Sequence, residues 1–138
     1  MEVWRDNAVR YRVQWNEPTE RERRAYCNTD DATRDGAYAM ALAAAKSQLG
    51  LQAHSRSDRK TGCDWYLEPA TESGDELNYD TPSLTRLEVS GIANDDRGAL
   101  LRRVSRKLKQ LRKASDSRDS LAAVIGFRSR TVLFRRCE

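Results

Sequence analysis

The clearest hydrophobic pattern in the chain lies between residues 95 and 114. Plotted at about 100° per residue, five aliphatic side chains share an arc of roughly 100°, as expected of a helix that lies on a core. They are Leu100, Leu101, Val104, Leu108 and Leu111. Asp95 and Asp96 precede this stripe, and Arg112 and Lys113 close it, so the charges at both ends favour the helix dipole. The pattern therefore predicts an amphipathic helix over residues 95–114.

Apolar positions elsewhere predict strands, either by alternating with polar residues or by forming a continuous run. The predicted strands are residues 9–15, 21–28, 51–56, 63–68, 84–90, 121–127 and 131–137. The run 121–127 is typical of a strand with both faces covered. Thr29 starts a second helix and Gly50 ends it. The order β-β-α-β-β-β-α-β-β predicts an α+β two-layer sandwich, with two helices packed on a mostly antiparallel sheet.

The length of 138 residues fits a single domain spanning 1–138, with an acidic loop at about 69–83 and a C-terminal hairpin at about 121–137. Three widely spaced cysteines indicate a reducing compartment rather than a disulfide framework. The first residues lack the apolar core of a signal peptide, and the longest apolar run, 37–45, is too short to span a membrane. We therefore expect a soluble, cytoplasmic protein without a membrane partner.

Charge is distributed unevenly along the chain. Residues 94–138 carry 13 Lys and Arg against 5 Asp and Glu, whereas residues 1–93 carry 12 against 16. Behind the aliphatic stripe, four cations form a row on the predicted helix: Arg102, Arg106, Lys109 and Lys113. The row spans roughly 16 Å, which suits a line of phosphates. The alternative is an ordinary solvated face on a packed helix.

The basic row favours a small accessory protein that binds the backbone of RNA or DNA. Arg103, Lys107, Arg128 and Arg130 are expected to flank the row as further contacts. No aromatic RNA-binding motif, GXXG loop or zinc finger is present, so we predict phosphate contacts without a sequence code. Four to six neutralised phosphates would give a slope of about −3 to −5 in log K against log salt.

The acidic segment 61–80, which contains no Lys or Arg, leaves a second function open. It carries Asp64, Glu68, Glu72, Asp75, Glu76 and Asp80. Such a segment could dock on the basic helix of the same chain or of a second copy, or on a basic surface in a larger protein complex. The protein would then be a protein–protein interaction or inhibitor module. A solvated loop is the simpler interpretation.

Catalysis has the least support in the sequence. No nucleophile-elbow, P-loop or dinucleotide-binding motif occurs, and His54 stands alone. Cys27, His54, Cys63 and Cys137 lack the close pairing of zinc ligands. Asp64, Glu68 and Glu88 could meet across a sheet, as in metal-dependent nucleases, but neither glutamate is followed by a lysine two residues on. We therefore expect no catalytic residues, no metal and no cofactor.

Overall fold

The computed structural model describes residues 2–4, 8–57, 63–70, 84–113 and 118–137. Its three helices are α1 (Glu20–Ala25), α2 (Thr29–Leu49) and α3 (Arg97–Lys113). Its seven strands are β1 (Glu2–Trp4), β2 (Ala8–Arg10), β3 (Leu51–Arg56), β4 (Trp65–Pro69), β5 (Thr85–Ile92), β6 (Ser120–Gly126) and β7 (Thr131–Cys137). Within these ranges, no helix is both long enough and apolar enough to cross a membrane.

The strands form one mixed sheet in the order β2-β1-β7-β6-β5-β4-β3. Strands β3, β4 and β5 form an antiparallel meander, and β6 and β7 form an antiparallel hairpin. Strand β6 runs parallel to β5 because α3 returns the chain between them. The predicted α+β class is confirmed, and the order of helices and strands roughly matches the predicted one.

Helices α2 and α3 cover opposite faces of the sheet. Leu121, Ala123 and Ile125 of β6 belong to the core cluster beneath α2, whereas Ala122 and Val124 pack with α3. This division follows from the alternation of side chains along a strand. The molecule thus has three layers, where the sequence predicted two. The continuous apolar run of β6 explains the difference, because both of its faces need a cover.

Helix α2 approaches the sheet closely because its inner face is made of small residues. Ala37, Ala41 and Ala45 are each at most 1% exposed. Opposite them, a Cβ at Gly91 of β5 would lie 2.9 Å from the Cβ of Ala37, closer than such atoms normally approach. The pairing of a small helix face with a glycine in the strand therefore sets the distance between these layers.

The N-terminal segment differs from its sequence-based prediction. The predicted strand 21–28 is instead mostly helix α1, because Thr19 and Glu22 form a capping box that starts a helix. Of the predicted strand 9–15, only the first residues belong to β2, and residues 11–19 have no regular secondary structure. Strand β2 pairs antiparallel with β1, which precedes it in the chain, and not with the predicted strand 21–28.

Candidate nucleic-acid interface

The aliphatic stripe of α3 packs against the sheet, as predicted. Leu100, Val104 and Leu111 are buried against β6 and β7, but Leu101 is 41% exposed. Leu101 lies at the edge of the stripe, about 50° from its centre and on the side away from β5, and this explains its exposure. Asp96 caps the helix, since the amide of Ala99 donates a hydrogen bond of 2.7 Å to its Oδ1.

The four cations of the basic row are exposed on the outer face of α3. The side chains of Arg102, Arg106, Lys109 and Lys113 are all exposed to solvent. No carboxylate of the described residues lies within ion-pair distance of any of them. Three of them line a shallow depression of about 450 Å³ on the helix surface, together with Leu101 and Ser105. The outer face of α3 thus presents a row of unneutralised positive charge.

Two of the predicted flanking cations point toward the sheet instead. The Nη1 atom of Arg103 donates a hydrogen bond of 2.6 Å to the hydroxyl of Ser90 on β5. The Nζ atom of Lys107 lies 2.8 Å from Oε1 of Glu88, also on β5, and its side chain is only 20% exposed. Both cations lie on the flank of α3 that faces β5, so their positive groups already have hydrogen-bond partners within the fold.

The other two flanking cations, Arg128 and Arg130, are exposed in the turn between β6 and β7. The buried carboxylate of Asp95 holds this turn, accepting hydrogen bonds from the amides of Arg128 (2.9 Å) and Ser129 (3.2 Å) and from the Ser129 hydroxyl. A Cβ at Gly126 would collide with that carboxylate. Asp95 was predicted only as a helix-dipole charge, yet it fixes the turn beside the start of α3.

The acidic residues of the alternative hypothesis separate into two groups. Asp64 accepts hydrogen bonds from the hydroxyl of Tyr38 and the amide of Val89, and Glu68 accepts one of 3.0 Å from Nε2 of Gln52. Both carboxylates are therefore engaged within the fold. The remaining members lie outside the described residues: Glu72, Asp75, Glu76 and Asp80.

A second group of charged residues lies beside α3, and we call Asp64, Glu88 and Lys107 the acid–lysine cluster. Glu88 is 5% exposed, and its Oε1 accepts hydrogen bonds from Lys107 and from Nε2 of Gln110 at 3.2 Å. Burial raises the pKa of Glu88, Lys107 opposes that rise, and the charge of Asp64 adds to it. The fold therefore brings together two carboxylates and one ammonium group.

Tyr38 of α2 closes the cluster from the other side of the sheet. Its hydroxyl donates a hydrogen bond of 3.1 Å to Oδ1 of Asp64, and burial together with the charge of Asp64 raises the pKa of the phenol. The sequence indicated part of this cluster, because Asp64 and Glu88 were among the three acids expected to be able to meet across a sheet, whereas Glu68 bonds to Gln52 instead. The lysine was missed because it comes from α3, 19 positions away.

Comparison of this chain with protein-family models, with curated proteins and with solved structures finds no match. Among the described residues, no group of three or more His, Cys, Asp and Glu side chains is placed to hold a metal ion.

Proposed function

We propose that this protein binds the phosphate backbone of nucleic acid through the outer face of α3. The observation that carries the proposal is the exposed row of Arg102, Arg106, Lys109 and Lys113, which no described carboxylate neutralises. Like charges three or four residues apart each cost a few tenths of a kcal/mol in a helix. Binding of a linear polyanion relieves this repulsion, because it places negative charges along the whole row.

The packing of α3 supports a rigid contact surface. Its opposite face is buried on β6 and β7, Asp96 caps its first turn, and Asp95 fixes the neighbouring turn that carries Arg128 and Arg130. Cations on a packed helix lose little further entropy on binding compared with cations on a disordered tail. We count Arg103 and Lys107 as structural, because their positive groups are already paired with β5.

The test is salt-dependent binding of a labelled 20-base-pair DNA and the matching RNA, followed by fluorescence anisotropy. Four phosphate contacts predict a slope of about −3.6 in log K against log salt, or about 150-fold weaker binding to duplex DNA at 200 mM than at 50 mM salt. The variant with Arg102, Arg106, Lys109 and Lys113 all changed to Gln should lose this slope and its retention on heparin.

The matched control removes four exposed cations elsewhere, by changing Arg10, Arg12, Arg21 and Arg24 to Gln. This control has the same net charge as the test variant and should keep nearly the full slope. Equal losses in both variants would mean that net charge, and not α3, governs binding. A wild-type protein that binds no nucleic acid at 50 mM salt would contradict the proposal and favour the protein-interaction alternative.

A further inference from the structure

The N-terminal segment contains a large aromatic side chain that the fold leaves uncovered. Between residues 9 and 15, the apolar residues Val9, Tyr11, Val13 and Trp15 alternate with polar ones. The first three are partly buried, and Tyr11 packs against the core beneath α2, but Trp15 is 75% exposed. The apolar side of this segment therefore continues for one residue beyond the surface that covers it.

A small apolar cleft lies beside this side chain, and we call it the α2 cleft. Residues 11–14 form one wall, a flank of α2 forms the other, and the volume between them is about 260 Å³. The α2 residues that line the cleft are Met40, Ala43, Ala44 and Ser47. An apolar cavity of about 150 Å³ holds benzene, so the α2 cleft has room for the larger indole ring. Trp15 follows the cleft wall directly in the chain, yet its own side chain does not line the cleft.

The chain around Trp15 has little cover from the rest of the described fold. Every residue from 14 to 31 is exposed, and the six residues of α1 bury no side chain. No backbone hydrogen bond joins residues 12–16 to another described residue. Isolated helices shorter than about 12 residues are marginal in water, so a helix such as α1 gains stability from contact with a partner.

We infer that the partner is a second copy of this chain, and that each copy places Trp15 in the α2 cleft of the other. In a two-fold dimer, the same patch of both copies forms the interface, so a group and the cavity that receives it must lie close together on one surface. Trp15 and the α2 cleft meet this requirement. One two-fold contact fills both clefts and covers both indoles, whereas a foreign partner would need its own matching group and cavity.

The charge of the exposed segment also favours a second copy over nucleic acid. Residues 14–28 carry three Arg and three Glu, so two copies of the segment do not repel each other. A segment without net charge offers little attraction to a polyanion. This surface therefore differs in chemistry from the outer face of α3, where the exposed cations of the basic row have no described carboxylate beside them.

The size of the contact predicts a weak dimer. Full burial of an aromatic side chain removes about 150–250 Å² from water, so two largely exposed indoles and two cleft walls of similar area amount to roughly 600 Å². Flanking residues of the exposed segment add to this area, but the total remains near or below about 1,200 Å², where transient complexes are found. We therefore expect an equilibrium between monomer and dimer that depends on protein concentration.

Sedimentation equilibrium at protein concentrations from about 5 to 500 µM measures this equilibrium. The wild-type chain should approach twice the monomer mass at the highest concentrations. Trp15→Ala should raise the dissociation constant at least about 100-fold, because each dimer loses two interfacial indoles. Ala43→Arg places a long charged side chain in the α2 cleft and should have a similar effect.

The matched control is Ala53→Arg, which introduces the same charge at an exposed alanine of β3, on the far edge of the sheet. It should dimerise like the wild type. Since Trp15 is exposed in the monomer, Trp15→Ala should also keep the thermal unfolding midpoint of the wild-type monomer, measured at the lowest concentration. Its nucleic-acid binding there should keep the wild-type salt slope, because α2 and α3 cover opposite faces of the sheet.

A wild-type chain that stays monomeric at the highest concentration would overturn the inference and leave a foreign protein as the occupant of the α2 cleft. So would a dimer that survives Trp15→Ala or Ala43→Arg, or one that Ala53→Arg abolishes equally. The first outcome needs no variant, so a variant that fails to fold cannot rescue the inference. Loss of the salt slope in the basic-row variant concerns the proposed function alone.

Discussion

Removing the ammonium group of Lys107 should destabilise the fold, because it leaves the carboxylate of Glu88 without its cation. The Glu88 side chain is 6% exposed, and the Lys107 side chain is 20% exposed. Breaking such a buried pair from one side costs about 3–5 kcal/mol. Gln110 still donates to Glu88 and water reaches the partly exposed lysine position, so we expect about 3 kcal/mol for Lys107→Met.

A double-mutant cycle of Lys107 and Glu88 distinguishes the loss of a charge pair from the loss of packing. Glu88→Gln in the Lys107→Met background removes the uncompensated charge and should restore about 2 kcal/mol of the free energy of unfolding, measured by urea denaturation followed by circular dichroism. The matched control is Lys109→Met on the exposed face of α3, with an expected change below about 0.5 kcal/mol. Additive effects of the two substitutions, or equal losses for Lys107→Met and Lys109→Met, would refute the argument.

Two further predictions concern the residues that position α3. Asp95→Ala removes the buried acceptor of three hydrogen bonds and should lower the free energy of unfolding by about 3 kcal/mol. Asp95→Asn keeps one acceptor oxygen and should lower it by less. Equal losses of stability in the two variants would contradict the role assigned to Asp95. Asp96→Ala removes the cap of α3 and should cost about 1 kcal/mol by urea denaturation, whereas Asp96→Ser, which can still cap, should be nearly neutral.

Where a residue's structure depends on its neighbours in sequence, the sequence alone determined it. The predicted strands 51–56 and 131–137 coincide with β3 and β7, and the predicted helix beginning at Thr29 and ending at Gly50 coincides with α2. Caps and hydrophobic periodicity act over a few residues, so they can be read locally. The error at α1 was also local, since the capping box at Thr19 and Glu22 was present in the sequence.

Only the tertiary structure decided which faces and which charges meet. The aliphatic stripe of α3 does not determine which face of the sheet the helix covers. The placement of α2 and α3 on opposite faces depends on the crossover from β5 to β6. The basic row could be predicted because its members share one helix. Lys107 lies on α3, Glu88 on β5 and Asp64 just before β4, and the distance between their charges is set by strand pairing and helix packing, which no local pattern encodes.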